Sequence, residues 1–157
     1  MQLPIGGCIP YMRKKAQIPY TALAVTGNLS NALRQMLYVD ILTYIDIKVA
    51  INPKDADLIL EILNEIPNSQ TDTYNAYGQI TAYALNDVVI FKAYDIEGNE
   101  VMPEAQIFAV RDMNFSVSNV LSSDIQQAQL MDDIRKELAM QITVRLMSLG
   151  YRKTFRN

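Results

Sequence analysis

Hydrophobic and polar residues alternate in five stretches of the chain, with the period of two that is typical of a half-buried β-strand. The period is clearest in Tyr44–Ile51, where Asp46 and Lys48 separate isoleucine and valine residues. Asp57–Ile66 fits a helix or a strand, and we interpret it as a strand because Pro67 ends it and another alternating segment follows. The predicted strands are Tyr20–Thr26, Tyr44–Ile51, Asp57–Ile66, Gln79–Asp95 and Glu100–Phe115.

The segments between the last three strands predict two hairpins. Thr71–Gly78 is polar and fits a long hairpin tip, whereas Asp95–Asn99 contains a glycine that tolerates the positive φ of a tight turn. Pro103 predicts that the start of the last strand lies at an edge of the sheet. Asn86-Asp87 interrupts the apolar pattern of Gln79–Asp95, and a β-bulge there would explain the two polar residues.

The Gln79–Asp95 strand has apolar residues on both faces. A sheet that helices cover on one side only should show one polar face, and the chain offers only two helices. We therefore expect the second face to be covered too, either by more of this chain or by a partner. One face carries Tyr83, Leu85, Val89 and Phe91, and the other carries Ala82, Ala84, Val88 and Ile90.

Two amphipathic helices are predicted from apolar residues that recur every three or four positions. Asn28 or Ser30 can cap the first helix, and the second begins near Leu121–Asp124 and stops before Gly150. The stripe of the first helix is Leu29, Ala32, Leu33, Met36 and Leu37, and that of the second is Ala128, Met131, Ile134, Leu138, Ile142, Leu146 and Leu149. Opposite the second stripe lie Leu130, Met140, Val144 and Met147, which are either scattered surface residues or a surface for a partner.

Composition limits the classes of function. The 157 residues suffice for one domain with a real core; half of them are apolar and a fifth are charged. The net charge of -3 gives no reason to expect a nucleic-acid partner, and no run is long and apolar enough to span a membrane. Histidine, the commonest metal ligand and neutral-pH proton shuttle, is absent. We expect neither a metal nor a cofactor.

The single cysteine, Cys8, excludes an intrachain disulfide and a cysteine-based zinc site. It follows Ile5-Gly6-Gly7, and small residues before a cysteine are typical of a bacterial lipoprotein cleavage site. Only seven residues precede it, without the basic and apolar regions of an export signal. Cys8 is therefore either a lipidation site whose export signal has been removed or an incidental thiol.

Positive charge is concentrated near the two ends of the chain. These clusters are either solvated tails or contacts for an anionic surface. Arg135 lies within the stripe of the second helix and Arg145 at its edge; such arginines usually lay their stems on apolar surface, and the alternative is a bidentate contact with a phosphate or carboxylate. The terminal clusters are Arg13, Lys14 and Lys15, and Arg152, Lys153 and Arg156.

Sequence motifs of catalysis are missing from the chain. It has no P-loop, GxGxxG, GxSxG or HExxH motif. Asp132 and Asp133 are adjacent on a helix and therefore face different ways. Asp95, Glu97 and Asn99 lack the remaining ligands of a calcium loop. We predict that the protein is not an enzyme.

The order of the elements and several local runs resemble the LptE (RlpB) family, the lipopolysaccharide-assembly lipoproteins of Gram-negative outer membranes. Leu29–Leu37 (LSNALRQML) is similar to the family's L-S-x-A-[VL]-R-x-x-L run. Cys8 matches the residue that would be acylated. The other similar positions are Ile18-Pro19-Tyr20, Gly78-Gln79, Tyr83, Leu85, Arg111, Phe115, Leu121–Asp124, Gln127, Leu130 and Arg145-Leu146.

This resemblance implies an α+β fold in which two helices pack on one face of a four-stranded mixed or antiparallel sheet. Residues 1–19 would be an irregular lead-in, residues 20–150 a single domain, and residues 151–157 a basic tail. The resemblance also implies a non-enzymatic protein, held by a lipid anchor alone on the periplasmic side of the outer membrane. Such proteins plug the LptD β-barrel and help it deliver lipopolysaccharide, which agrees with a covered second face.

The chain departs from the family at several functional positions. Ala76 and Ser123 stand where the family has basic residues associated with lipopolysaccharide binding, and Ile9-Pro10-Tyr11 follows the cysteine in place of glycine and an aromatic residue. That binding site therefore cannot be transferred. In its place we predict that Lys92 and Arg111, on neighbouring strands, contact the phosphates if the protein binds lipid A.

The leading hypothesis is thus a plug and assembly partner of an LptD-like barrel. Its predicted partner surface consists of Leu130, Met140, Val144 and Met147. The alternative is a soluble periplasmic binding module that presents its sheet to an amphiphilic ligand.

Overall fold

The computed structural model describes residues 14–114 and 120–150 of the chain, and these form two helices and five strands. A 3₁₀ turn, Pro53–Asp55, precedes the third strand. The elements in chain order are β1 (Ala22–Gly27), α1 (Asn31–Tyr44), β2 (Lys48–Val49), β3 (Leu58–Tyr74), β4 (Ile80–Asp95), β5 (Glu100–Asn114) and α2 (Val120–Met147). The predicted α+β class is confirmed.

The strands form one mixed sheet in the order β2-β1-β3-β4-β5. β1 runs parallel to both β2 and β3, whereas β3, β4 and β5 are successive antiparallel neighbours. The expected number of four strands is wrong, because the short β2 pairs with the outer side of β1 as a fifth strand. β5 is the opposite edge, as Pro103 predicted.

The segment Tyr44–Ile51 differs from its prediction. α1 extends as far as Tyr44, and only Lys48–Val49 pairs with a neighbouring strand. The alternation nevertheless predicts which side chains are buried, because Ile45 and Ile47 both lie in the hydrophobic core. The extended backbone at Ile45 bridges the N-terminal segment at Ala16, however, and this contact takes the place of a regular strand.

The two hairpins also refine the prediction. β3 continues through Pro67 to Tyr74, and the turn between β3 and β4 is confined to Asn75–Gln79, where Gly78 has a φ of 73°. The second turn is confirmed, with the N–H of Asp95 donating to the carbonyl of Asn99 at 2.9 Å.

The bulge expected at Asn86-Asp87 is wrong. Both residues pair without a register shift with β3 on one side and β5 on the other, whereas the nearest irregularity of β3 lies between Ser69 and Asp72, beside this pair. The two polar residues therefore do not mark a bulge. Asp87 instead lies near the charged residues Glu65 and Arg135.

One hydrophobic core joins the helices to the sheet. Alternate residues of β4 (Leu85, Val89, Phe91) are fully buried in it. The stripe of α2 is confirmed from Ile134 onward, whereas Ala128 is exposed. α1 and α2 contact each other, and α2 also contacts β4 and β5. The N-cap of α1 is Ser30, whose hydroxyl accepts a hydrogen bond from the N–H of Leu33 at 3.2 Å.

Candidate functional site

A row of apolar side chains lies on the face of the sheet opposite the main core, the face that also carries a small buried cluster of Ala24, Ala56 and Ile59. Val88 of β4 is opposite Ile66 of β3 and Phe108 of β5, and Ile90 and Val110 flank them on the same face. Phe108 is 61% exposed, Ile66 43% and Val110 41%. None of the five belongs to the core among the described residues. We call Ile66, Val88, Ile90, Phe108 and Val110 the outer-face row.

Lys92 lies on the same face as the outer-face row. It pairs with Glu61 of β3 directly across the strand, with Nζ 3.7 Å from Oε2. Both side chains are about one third exposed, so the ion pair is weak and its lysine remains accessible to a stronger anion.

Arg111 occupies the other face of the sheet. It lies opposite the buried Leu85, and its guanidinium donates to Glu137 of α2 at 2.7 Å and to the carbonyl of Val110 at 2.8 Å. The structure therefore does not bring Lys92 and Arg111 together, although they are on neighbouring strands. The sequence shows that both are cations, but only the register shows that they point to opposite faces.

The predicted partner surface on α2 divides into two parts. Leu130 and Met147 are half-buried and pack against the core. Met140, by contrast, lines a groove of about 390 Å³ between α1 and α2, and Val144 is 54% exposed beside it. The groove is lined by Gln35, Met36, Val39, Asp40, Lys136 and Met140.

Sequence reasoning missed the contribution of α1 to this groove. Met36 packs against the core, as its stripe predicted, and also lines the groove together with Val39, which is 62% exposed. The signal was present, because Val39 lies off the Leu33, Leu37 and Ile41 stripe that the core buries. Such an apolar residue, three positions after another, indicates a second apolar surface on the helix.

Several predicted positions lie at the ends of the domain. Cys8, Arg13 and the basic residues after Gly150 are outside the described residues, while Lys14 and Lys15 are exposed. Gly150 lies so close to Gln17 that a Cβ on it would be 2.3 Å from the carbonyl oxygen of Gln17. Gln17 and Gly150, which are near the two basic clusters in sequence, therefore lie side by side.

A group of charged side chains is buried between the sheet and α2. Asp87 of β4 is fully buried, and neither of its carboxyl oxygens has a hydrogen-bond partner of normal geometry within the described residues. Glu65 of β3, whose side chain is 5% exposed, accepts from the N–H of Ser30 at 2.5 Å and from its hydroxyl at 3.0 Å. Arg135 of α2 places Nε 3.6 Å from the carboxylate of Glu65.

These surroundings change the acidity of Asp87. Burial, followed by the neighbouring carboxylate of Glu65, raises the pKa of Asp87 to about 7, although Arg135 opposes the shift. Sequence reasoning missed this group. Arg135 is paired with two carboxylates of this chain, Glu65 at 3.6 Å and Asp132 at 3.7 Å, and not through the bidentate contact that was the alternative. Arg145 lies over the ring of Phe91, 5.9 Å from its centroid, as expected of an arginine on apolar surface.

The described residues contain neither a cluster of metal ligands nor a membrane-spanning helix. Nowhere in residues 14–114 and 120–150 do three acidic, histidine or cysteine side chains come together as metal ligands. Neither helix in this part of the chain has the length and apolar character needed to span a membrane.

Comparison with known proteins identifies relatives of the whole domain. A family model described as "LptE: Lipopolysaccharide-assembly" matches residues 15–146. A search of curated protein sequences gave no match.

The fold is similar to those of several solved lipoprotein structures. The solution NMR structure of an uncharacterized lipoprotein B from Nitrosomonas europaea has a TM-score of 0.77 at 17% identity, covering 91% of this chain and 92% of that chain. The crystal structure of a minor lipoprotein from Acinetobacter baumannii gives 0.70 at 20% identity, covering 83% and 93%. Rare lipoprotein B from Shewanella oneidensis gives 0.70 at 15% identity, covering 85% and 99%.

Proposed function

Because the chain belongs to the LptE family of lipopolysaccharide-assembly proteins, we propose that it plugs an LptD-like outer-membrane β-barrel and helps that barrel assemble for lipopolysaccharide transport. The role is non-enzymatic. Acylation of Cys8 would anchor the protein on the periplasmic side of the outer membrane. The observation that carries the proposal is the presence of exposed apolar side chains on two separate surfaces, the outer-face row and the groove between the helices.

The two surfaces argue for enclosure rather than for one-sided binding. We infer that both helices cover the inner face of the sheet, because their buried residues share one core with Leu85, Val89 and Phe91. The outer-face row and Val39 then lie on opposite sides of the domain. A soluble monomer rarely exposes extended apolar patches, and a partner at a single face would cover only one of them. A barrel wall surrounds its plug and can contact both.

Copurification from outer membranes tests this proposal. We expect the tagged protein to bring down a much larger barrel protein, and Phe108→Asp or Val39→Asp to reduce the recovered barrel at least tenfold. Ile51→Asp is the matched control, since Ile51 is 95% exposed and lies outside both surfaces. Recovery of the wild-type protein alone, or equal recovery with all three variants, would overturn the proposal. Circular dichroism would show that each variant is folded.

Lys92 and Arg111 remain our proposed contacts for lipopolysaccharide phosphates. Because they lie in different surroundings, we expect them to contribute unequally to binding. Lys92 is beside the outer-face row and has only a weak partner, whereas Arg111 is held by Glu137. We expect Lys92→Ala to weaken the binding of lipid A to the purified protein about three- to tenfold, and Arg111→Ala to weaken it less. Titration of a fluorescent lipid A measures both, and equal affinity of the Lys92→Ala variant and the wild type would exclude Lys92.

A binding module for an amphiphile is the second candidate function. The groove between α1 and α2 favours it, because Met36, Val39 and Met140 can contact an acyl chain while Lys136 meets an anionic headgroup. An apolar fluorescent probe that lipid A displaces, and that other acyl lipids do not, would support this function. A probe that no lipid displaces would contradict it without affecting the barrel experiment.

A further inference from the structure

Three charged side chains from three elements meet between the sheet and α2. Glu65 and Asp87 lie diagonally across β3 and β4 on the inner face, since Glu65 is opposite Val89 and Asp87 is opposite Pro67. Arg135 approaches them from α2. Through Glu65 the group also reaches Ser30, the N-cap of α1. One cluster thus connects both helices to the middle of the sheet.

The charges of this cluster do not balance when every group is ionised. Two buried carboxyl groups face a single guanidinium, which is shared further with the exposed Asp132, 3.7 Å from Nη1. On the β5 side Asp87 faces the uncharged Ala109, and Arg111, diagonally across on the same face, is already paired with Glu137. A buried carboxylate without a donor is unfavourable, whereas a carboxyl group that keeps its proton can donate it to the facing carboxylate. Glu65 and Asp87 therefore favour holding one proton between them.

We propose that Asp87, Glu65 and Arg135 form a proton-dependent clamp, which holds α2 and the start of α1 on the sheet while the two carboxyl groups share one proton. Loss of the proton leaves two buried carboxylates beside one arginine. Their repulsion weakens the contact of Arg135 with Glu65 and the contact of Glu65 with Ser30. Both helices are then held less firmly at this point.

The clamp contacts α2 at the boundary between the exposed and the buried part of the helix. Ile134 is fully buried, whereas the preceding residues Asp124–Asp133 are exposed or half-buried. Arg135 therefore lies where the exposed first turns of α2 meet its buried part. Loosening at Arg135 would free the helix from its N-terminal side without opening the core around Leu138, Ile142 and Leu146.

Few other side chains of this chain are expected to titrate in the pH range of this transition. Burial and the facing Glu65 raise the pKa of Asp87 to about 7, and the chain has no histidine. Ordinary carboxyl groups titrate below pH 5 and lysines above pH 9. Cysteine titrates at about pH 8.5, so only Cys8 overlaps the upper end of this range. A carboxyl-group transition between pH 6 and pH 8 can therefore be assigned to the clamp.

Carboxyl-carbon NMR of the full chain tests the shared proton directly. We expect the side-chain carboxyl signal of Asp87 to shift near pH 7, and the signal of the facing Glu65 to respond in the same step. The exposed Asp112 of β5 serves as the internal reference and should not respond to this step. Complete titration of Asp87 below pH 5 would overturn the proposal.

Hydrogen exchange tests whether loss of the proton loosens α2. After correction for intrinsic exchange rates, we expect the amides around Arg135 to lose at least tenfold protection between pH 6 and pH 8 in the wild type. Asp87→Asn, which cannot ionise, should remove this pH dependence, while the matched control Asp112→Asn should retain it. Unchanged wild-type protection, or the same pH dependence in Asp87→Asn, would contradict the clamp. If Asp87→Asn does not fold, the NMR titration of the wild-type protein still tests the clamp. Neither experiment requires the barrel protein.

Discussion

Gly27 is the position where a single methyl group should be least tolerated. It ends β1 with a φ of 103°, and a Cβ on it would lie 2.0 Å from the carbonyl oxygen of Ile62. The same oxygen accepts the N–H of Asn28 at 2.8 Å, so it cannot move away without losing that hydrogen bond. Both the backbone conformation and the close approach therefore require glycine.

We predict that Gly27→Ala lowers the free energy of unfolding by about 3 kcal/mol, through strain at positive φ and displacement of the neighbouring strand. Urea denaturation measures this loss. Gly98→Ala is the matched control, because Gly98 also has a positive φ but has no atom within 4 Å of an added Cβ. It should cost about 1 kcal/mol, and equal losses for the two variants would show that crowding at Ile62 does not matter.

The ionisation of Asp87 also makes stability depend on pH. Its pKa is raised to about 7 in the folded protein, against about 3.9 in an unfolded chain. Above about pH 5 the unfolded state has therefore lost a proton that the folded state keeps. Rising pH then favours unfolding until the folded state loses its proton too.

We predict that the free energy of unfolding falls by up to about 1.4 kcal/mol per pH unit between about pH 5 and pH 7, and levels off above pH 8. Chemical denaturation at a series of pH values measures the slope. Asp87→Asn should be nearly flat over this range and Asp112→Asn should follow the wild type. A stability that rises with pH in this range would contradict the assignment.

The sequence could not predict this cluster because its members are far apart in the chain. Alone, Asn86-Asp87 resembled a bulge and Arg135 an arginine lying on apolar surface. Only the register of β3 against β4, with α2 packed above them, shows that Asp87 and Arg135 both face Glu65. Apolar residues are predictable from their period, whereas the pairing of buried charges depends on tertiary contacts.

At the scale of elements, β5 is an edge strand whose open side is partly blocked. Gln141 of α2 donates to the carbonyl of Phe108 at 3.2 Å, and Arg111 donates to the carbonyl of Val110. Near the other end, Glu100 accepts from the N–H of Glu104 at 3.1 Å. Side chains thus occupy backbone groups that another strand could otherwise use.

We predict that the double variant Arg111→Ala, Gln141→Ala self-associates, because it exposes two adjacent carbonyl groups beside the apolar Phe108 and Val110. Sedimentation velocity should show dimers or larger species at concentrations where the wild type is monomeric. Lys136→Ala is the control, since it also removes a charged side chain from α2 but lies at the groove. If the double variant remains monomeric, these side chains do not protect the edge.

Element prediction succeeded where capping or turn residues bounded a periodic pattern. α2 was predicted from its stripe and its polar start, and the structure places it at Val120–Met147. The hairpin at Asp95–Asn99 was likewise confirmed through its glycine turn. The strand predicted at Tyr44–Ile51 contains β2 but is too long, because only Lys48–Val49 pairs with β1.

At the scale of the whole molecule, the fold persists at low sequence identity. The lipoprotein B structure from Nitrosomonas europaea aligns with a TM-score of 0.77 at only 17% identity. Patterns of burial therefore specify this architecture more than particular residues do. The exposed apolar surfaces were harder to predict, because the sequence shows that a residue is apolar but not which neighbours leave it uncovered.

Enclosure by a partner makes a quantitative prediction at this scale. Phe108 and Val39 lie on different surfaces and share no contacts that would couple them, so their effects should be independent. We predict that the double variant Phe108→Asp, Val39→Asp reduces the recovered barrel by the product of the two single reductions. Quantitative copurification measures all three losses. A double variant no worse than the more severe single one would mean that the partner contacts only one side.

The proximity of Gln17 to Gly150 has a consequence for orientation. An acyl chain on Cys8 would tether the domain by one pole, the pole at which β3 begins. β3 has 17 residues, and at about 3.3 Å per residue it carries the Asn75–Gln79 turn roughly 50 Å from that pole. The tethered domain could therefore stand upright on the membrane, with this turn as its most distant tip.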